Sequence, residues 1–268
     1  MERKMKAVLK YPGAKNRLAP WICNYVPLHR NYVEPFFGSG AVFFNKEPAY
    51  LEIINDIDGD IVNYFRIIRE RGDELIKKIR LTPYSREEYN AQYLSCETNE
   101  LERARRFAIK CWMGFGCGNR YKNGYRRGIG ETSPNPAKAW NELPNTILKA
   151  TERLKNAQIE SVDAIKLISE MKGNSTFIYC DPPYLMETRK RYLYNYEMDD
   201  IEHEKLLDVV TKSDCKIMIS GYDNDLYNEI LYKWNKVQKR TCAECGVTRI
   251  ETLWMNYDIQ GSQMSFMK

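Results

Sequence analysis

The chain has 268 residues, 43% hydrophobic and 29% charged, a globular balance with room for one large domain or one domain carrying an insert. No run approaches the roughly eighteen apolar residues of a membrane span. The opening residues 1–6 are rich in Lys and Arg and lead into a short strand-like run, not the apolar core of a signal peptide, so a soluble, cytoplasmic protein is expected. The net charge of +5 is unevenly spread: residues 103–127 hold Arg103, Arg105, Arg106, Lys110, Arg120, Lys122, Arg126 and Arg127 and no acidic residue. Such a segment suits a polyanion, although a solvated helix face followed by a basic loop accounts for it equally well.

In chain order, residues 32–34 read as the end of a strand. Gly38-Ser39-Gly40 makes a tight turn, and residues 41–45 begin a helix. Residues 51–54 form a second apolar strand ending at Asn55-Asp56, and residues 57–69 have helical spacing. This βαβα pattern implies a parallel sheet.

Residues 71–156 lack that rhythm. Residues 86–93 and 101–113 look helical; a glycine-rich run follows at 114–118, and Asn123-Gly124 is a hairpin signal because both turn positions need positive φ. The alternation resumes with strands at 158–162, ending at Asp163, and at 176–180, ending at Asp181. A helix at 201–211, a strand at 215–220, a helix at 225–232 and two final strands at 236–241 and 248–256 complete it. The expected architecture is therefore an α/β catalytic domain, residues 1–70 and 157–268, with a mostly helical insert at 71–156 that carries a basic β-hairpin.

The eight cysteines are scattered, several in apolar runs. Cys242 and Cys245 form a lone Cys-x-x-Cys. A zinc site wants four ligands, the chain has only His29 and His203, and Cys111 and Cys117 lie far off in sequence, so plain thiols and no metal are expected.

Glu34, Asp56, Asp163 and Asp181 each follow an apolar strand. In an open α/β sheet ligands bind outside the carboxyl ends of the strands, so the four would ring one crevice. Any one of them could simply cap a helix; all four beside a glycine turn favour a ligand site. The turn Phe37-Gly38-Ser39-Gly40 is not a pyrophosphate fingerprint. An acidic strand end before it suits an ammonium group, and Asp56 stands where an acidic side chain accepts ribose hydroxyls. An adenosine carrying an amino-acid tail fits these features.

Asp181-Pro182-Pro183-Tyr184 is the most specific signal. Two prolines remove two donors and fix φ twice, making a rigid bracket with outward carbonyls. The Asp181 carboxylate and the Pro182 carbonyl can accept two N–H bonds from a planar base, and the Tyr184 ring can stack on it. The other reading is a strand-terminating turn.

Lys10-Tyr11-Pro12-Gly13-Ala14-Lys15, then Glu34-Pro35-Phe36-Phe37-Gly38-Ser39-Gly40, Asn55-Asp56-Ile57 and Asp181-Pro182-Pro183-Tyr184 together resemble the Dam-type adenine-N6 DNA methyltransferases in order and spacing, over nearly the whole chain. Tyr11-Pro12-Gly13-Ala14 stands where that family commonly has Trp-Ala-Gly-Gly. The resemblance implies a Rossmann-like sheet, S-adenosyl-L-methionine as methyl donor without a metal, and transfer to the N6 amine of a flipped adenine in double-stranded DNA. Tyr11, Lys15, Asp56 with Ile57, and Asp181 would lie against the cofactor; Glu34, Pro35, Phe36, Gly38, Ser39 and Gly40 would wrap its methionine end, and Asp163 and Ala164 its adenine. A monomer is implied, with a cognate restriction endonuclease as a separate partner that a restriction-modification setting would supply.

Arg120, Lys122, Asn123, Arg126 and Arg127 in the insert could reach phosphates or bases, Asn123 doubling as a turn residue. Arg189, Lys190 and Arg191, interleaved with tyrosines, suit a loop that grips a strand, or a solvated connector. Cytosine-N4 methylation uses a similar bracket, typically with Ser at the position of Asp181, and protein-glutamine enzymes usually carry Asn there. Cytosine ring-carbon methylation needs a cysteine, usually after proline, and no Pro-Cys dipeptide occurs. RNA as the acceptor, or a silent DNA-binding relative, stays open on the sequence.

Overall fold

The structure, a computed structural model, describes residues 5–94, 99–115, 121–131, 133–189, 192–242 and 248–259. Seven strands form one sheet: β1 (Asn31–Glu34), β2 (Leu51–Asn55), β3 (Ala157–Glu160), β4 (Thr176–Cys180), β5 (Lys216–Tyr222), β6 (Asn235–Cys242) and β7 (Thr248–Met255). Their order is β3-β2-β1-β4-β5-β7-β6, with β1 to β5 parallel and β7 antiparallel to both neighbours. The chain builds outward from β1 in one direction and then returns to add β4 on its other side. The strand order therefore reverses between β1 and β4, where an open sheet leaves a crevice at its carboxyl edge.

Period-two alternation along the strands feeds two cores. Tyr32, Ile54, Phe177, Tyr179 and Met218 point to one face, and Val33, Ile53, Ile178, Ile217 and Ile219 to the other. The first face is covered by α1 (Ala19–Cys23), α2 (Gly59–Arg80), α3 (Arg86–Ala91), α4 (Glu100–Met113) and α5 (Pro136–Leu154). The second is covered by α6 (Ala164–Glu170), α7 (Asp200–Lys212) and α8 (Asp225–Ile230). The parallel α/β sheet expected from the strand-helix alternation, Rossmann-like as the resemblance implies, is present, with helices on both faces. No helix among the described residues is long and apolar enough to cross a membrane.

Several local expectations need correction. Residues 41–45 form turns closed by Phe44 N–H to Gly40 O and Lys46 N–H to Val42 O, not a helix. The helix expected at 57–69 is α2, which continues to Arg80 past a non-helical Arg71. α5 is an addition to the expected elements, and Pro144 sits inside it, where proline ordinarily argues against a helix. It forms nonetheless: Trp140, Leu143, Ile147, Ala150 and Leu154 are buried at alternating spacings of three and four, and Pro136 and the Asn135 cap start it.

Asn123-Gly124 is not a two-residue turn. Gly124 O accepts the Phe115 N–H, Gly114 and Tyr125 form a single antiparallel bridge, and Gly124 has no positive φ. The segment between Phe115 and Gly124 lies partly outside the described residues.

The basic segment is also less exposed than its composition suggests. Arg103 pairs with Asp60, Arg105 with Glu88 and Glu102, and Arg106 with Glu102. On α4 these charges hold helices together, which leaves Lys122 and Arg127 among the exposed cations of the segment.

A buried ion cluster ties α5 to the sheet. Glu52 on β2 takes Lys46 at 2.7 Å and Arg153 Nη2 at 2.8 Å, and the side chains of Lys46 and Glu52 are each 1% exposed. Removing one member of such a cluster leaves the others charged in a medium of low dielectric. Glu52→Gln is expected to cost about 3–5 kcal/mol in urea unfolding; an unchanged midpoint and slope would contradict this reading of the cluster.

Candidate active site

One cleft of about 1100 Å³ opens at the carboxyl edge of the sheet. Parallel pairing of β1, β2, β3 and β4 brings their ends to one rim, so Glu34, Asp56, Asp163 and Asp181 all line it. Tyr11, Lys15, Pro35, Phe36, Gly38, Ser39, Ile57 and Ala164 line it too. Gly40 does not. Its φ of 65° turns the chain, and a Cβ there would collide with the Phe37 ring.

Asn55 fastens the strand ends. Its side-chain amide donates to Pro35 O at 2.9 Å and Val162 O at 3.0 Å and accepts the Val162 N–H at 2.9 Å. Asp56 accepts backbone N–H groups from Gly38 at 2.8 Å and Asp58 at 2.9 Å, one on each oxygen. It thus orders the glycine turn, while each oxygen keeps a lone pair for a further donor. Burial pushes the Asp56 carboxyl up to about 7. Asp163 caps α6 by accepting the Lys166 N–H at 2.8 Å.

Glu34 is 2% exposed and accepts the Tyr32 hydroxyl at 2.6 Å. Burial raises its carboxyl to about 8 despite that bond, with the Asp181 charge adding to the rise. Asp181 is held on one oxygen by two donors: the Lys15 ammonium at 2.9 Å and the Ser220 hydroxyl at 2.8 Å, both to Oδ1. Ser220 is in turn hydrogen-bonded to the Tyr179 hydroxyl at 2.9 Å.

Lys15 is 6% exposed. Its ammonium also donates to Gly13 O at 2.9 Å, lies 3.8 Å from Glu251 and sits 4.7 Å from the centre of the Tyr184 ring. Burial alone would lower its pKa, but the Asp181 and Glu251 charges carry it net upward, so it stays protonated.

The Pro-Pro bracket is divided between two hollows. Asp181 and Pro183 face the large cleft, whereas Pro182 and Tyr184 line a smaller one of about 220 Å³ with His203, Ser220, Tyr222 and Tyr227. The Tyr184 hydroxyl is held by Glu251, and Tyr222 meets its ring edge-on at 4.7 Å. Residues 194–198 fold back across the cleft. The Tyr194 hydroxyl occupies the space a Cβ on Gly13 would need, so only glycine fits beneath it, and Asn195 donates to Asp58 at 3.0 Å.

Arg189 is not a free cation. Its guanidinium is ion-paired with Glu197 and donates to Tyr184 O at 2.5 Å, which fixes the start of this segment. Arg126 is likewise partly engaged, its Nε donating to Gly114 O at 3.0 Å, while the Asn123 carbonyl accepts the Tyr89 hydroxyl at 2.7 Å. Arg120, Lys190 and Arg191 lie outside the described residues, as do Cys117 and Cys245. No group of metal-ligating side chains occurs among the described residues.

Sequence reasoning missed Ser220, Asn195 and Glu251, and gave Tyr194 only as one tyrosine of a strand-gripping loop. For Glu251 a signal existed: a charged residue in the apolar strand Ile250-Glu251-Thr252-Leu253-Trp254, which the fold leaves 3% exposed.

A family model described as D12 class N6 adenine-specific DNA methyltransferase matches residues 11–242. The type II methyltransferase M1.LlaDCHI of Lactococcus lactis subsp. cremoris is 29% identical over 252 residues, covering 86% of each chain. The DNA adenine methylase of Haemophilus influenzae is 25% identical over 257 residues, covering 88% of this chain and 87% of that one. The type II methyltransferase M.MjaIII of Methanocaldococcus jannaschii is 25% identical over 291 residues, covering 94% and 99%.

The raised carboxyls set a pH dependence. Glu34 titrates near 4.5 when unfolded and about 8 when folded, so the folded state holds the proton more tightly. Its stabilising contribution is whole below the unfolded value and is lost as pH rises through the folded one, and Asp56 adds to the loss up to about 7. The melting temperature of the ligand-free chain should therefore fall across that window, less steeply in Glu34→Gln. A variant that follows the parent slope would contradict the assignment.

Proposed function

Since the chain belongs to the D12 class N6 adenine-specific DNA methyltransferase family, we propose that its large cleft holds S-adenosylmethionine and that Asp181 receives the amine of a flipped adenine at the cleft's inner wall. The chain is an adenine-specific DNA methyltransferase, and the family favours adenine over the cytosine-N4 alternative. How its residues do this is our reading of the geometry.

One observation carries it. A nitrogen donor, Lys15 Nζ, already sits where the Asp181 carboxylate and the Tyr184 ring converge, 2.9 Å from one and 4.7 Å from the centre of the other. That is the environment an amine on an aromatic base requires. The amine of adenine would take the place of the ammonium.

The cleft suits the cofactor in chemistry. Glu34 and Asp56 offer acidic acceptors for an ammonium and for ribose hydroxyls, and Ile57, 47% exposed, offers an apolar surface for a ring beside Asp163 and Ala164. S-adenosylmethionine supplies a methyl group on a sulfonium, already electrophilic.

The protein's part is orientation and electrostatics. The amine lone pair of adenine is delocalised into the ring. Ser220 keeps Asp181 in place by Oδ1 when the amine replaces the Lys15 ammonium; an N–H bond to the carboxylate, and another to the Pro182 carbonyl, would localise the lone pair and point it at the methyl. The Asp181 carboxylate then stands as the nearest acceptor for the proton that the methylated amine sheds. A duplex adenine cannot reach this depth while stacked, so it must be flipped out. Residues 71–156 then serve as the inserted target-recognition region, with Lys122 and Arg127 meeting the DNA backbone. Arg126 braces the loop that carries them.

Two experiments test this. Genomic DNA from a methylation-free bacterial host expressing the chain should carry N6-methyladenine at one short motif in single-molecule sequencing, and Asp181→Ala should abolish it in a chain that still folds, at a lower melting temperature because Lys15 loses its partner. Methylcytosine, or near-normal methylation by the variant, would overturn the reading. Replacing Lys122 and Arg127 by Ala should weaken duplex binding and reduce the slope of log affinity against log salt by roughly 0.9 for each phosphate no longer neutralised; an unchanged slope would remove them from the interface.

A further inference from the structure

An amine that takes the Lys15 position on Asp181 meets an occupied site, because Lys15 Nζ already holds Oδ1 at 2.9 Å. Lys15 cannot lose its charge there, since the nearby carboxylates keep its pKa net upward. Nor does it have a way out to water. It is 6% exposed, its Nζ is bound to Gly13 O at 2.9 Å, and the Tyr194 hydroxyl closes over Gly13. A buried ammonium stripped of its carboxylate is strongly disfavoured, so the lysine needs a second anion within reach.

Glu251 is that anion. It lies on β7, directly across from Tyr222 in the antiparallel register with β5, which brings it to the same end of the sheet as Ser220 and Asp181. It is 3% exposed, and its Oε1 is 3.8 Å from Lys15 Nζ. A shift of about 1 Å in the lysine tip would convert that approach into a charge-assisted hydrogen bond. Oε1 already takes the Tyr184 hydroxyl, but a carboxylate accepts about four donors, so the lysine would add to Tyr184 without displacing it.

We propose that Glu251 is the acceptor to which the Lys15 ammonium transfers when the substrate amine takes its place on Asp181. Glu251 is thus a positioning residue: it acts through Lys15 and touches neither base nor cofactor. The inference rests on the reading that the amine docks on Asp181.

Glu251→Gln separates this role from support of Tyr184, because glutamine keeps an oxygen for the tyrosine hydroxyl and removes only the charge. Single-turnover transfer of labelled methyl to methylation-free genomic DNA is expected to slow about tenfold or more in Glu251→Gln, with affinity for S-adenosylmethionine within about twofold of the parent, whereas Glu251→Asp, which keeps the charge, is expected to recover most of the rate. Should the glutamine variant not fold, the aspartate variant decides alone. Parental rates in Glu251→Gln, or a rate in Glu251→Asp as low as that of Asp181→Ala, would overturn the inference and leave the docking of the amine standing. Transfer that survives Asp181→Ala would overturn both.

Discussion

The ion pair of a buried Lys15 with a partly buried Asp181 is the constraint on which the site depends. Two opposite charges sit at the bottom of a cleft, and each makes the other tolerable there. Around them the fold supplies further partners: the Ser220 hydroxyl donates to Asp181, the Gly13 carbonyl accepts from Lys15, and the Tyr184 ring faces the ammonium. The pair can form only because the N-terminal segment crosses the end of β4, beside the place where strand order reverses between β1 and β4. Topology creates the crevice, and the ion pair fills its base until something better matched arrives.

Acidic groups dominate the rest of the cleft. Glu34, Asp56 and Asp58 are all shifted upward, with burial the largest cause in each. Burying carboxyls disfavours their charged form, which weakens the ligand-free fold as pH rises. Such burial suits a site that binds cations: a sulfonium cofactor with an ammonium tail would relieve the same strain that weakens the empty protein. The stability deficit and the binding preference have one origin.

Strand ends are legible in the sequence because each is a short apolar run stopped by an acid, a local pattern that needs no knowledge of tertiary contacts. The rhythm that places Glu34, Asp56, Asp163 and Asp181 on one edge follows from parallel pairing alone. Pairing between distant segments is not legible. Nothing local to Lys15 says that it meets Asp181, and nothing local to Arg189 says that Glu197, eight residues on, takes its charge. The same blindness makes α4 look more basic than it is, since its partners Asp60 and Glu88 lie on other elements. Two local rules also mislead: Pro144 argues against a helix whose buried face is continuous, and Asn123-Gly124 argues for a turn although Gly124 pairs with Phe115. In both cases packing overrides propensity.

The most direct test is a crystal structure of the chain with S-adenosylhomocysteine and a duplex containing its methylation motif. The predicted result is an extrahelical adenine whose amine lies within hydrogen-bond distance of Asp181, with Lys15 no longer on Asp181. An adenine bound elsewhere, with Lys15 still on Asp181, would contradict the account.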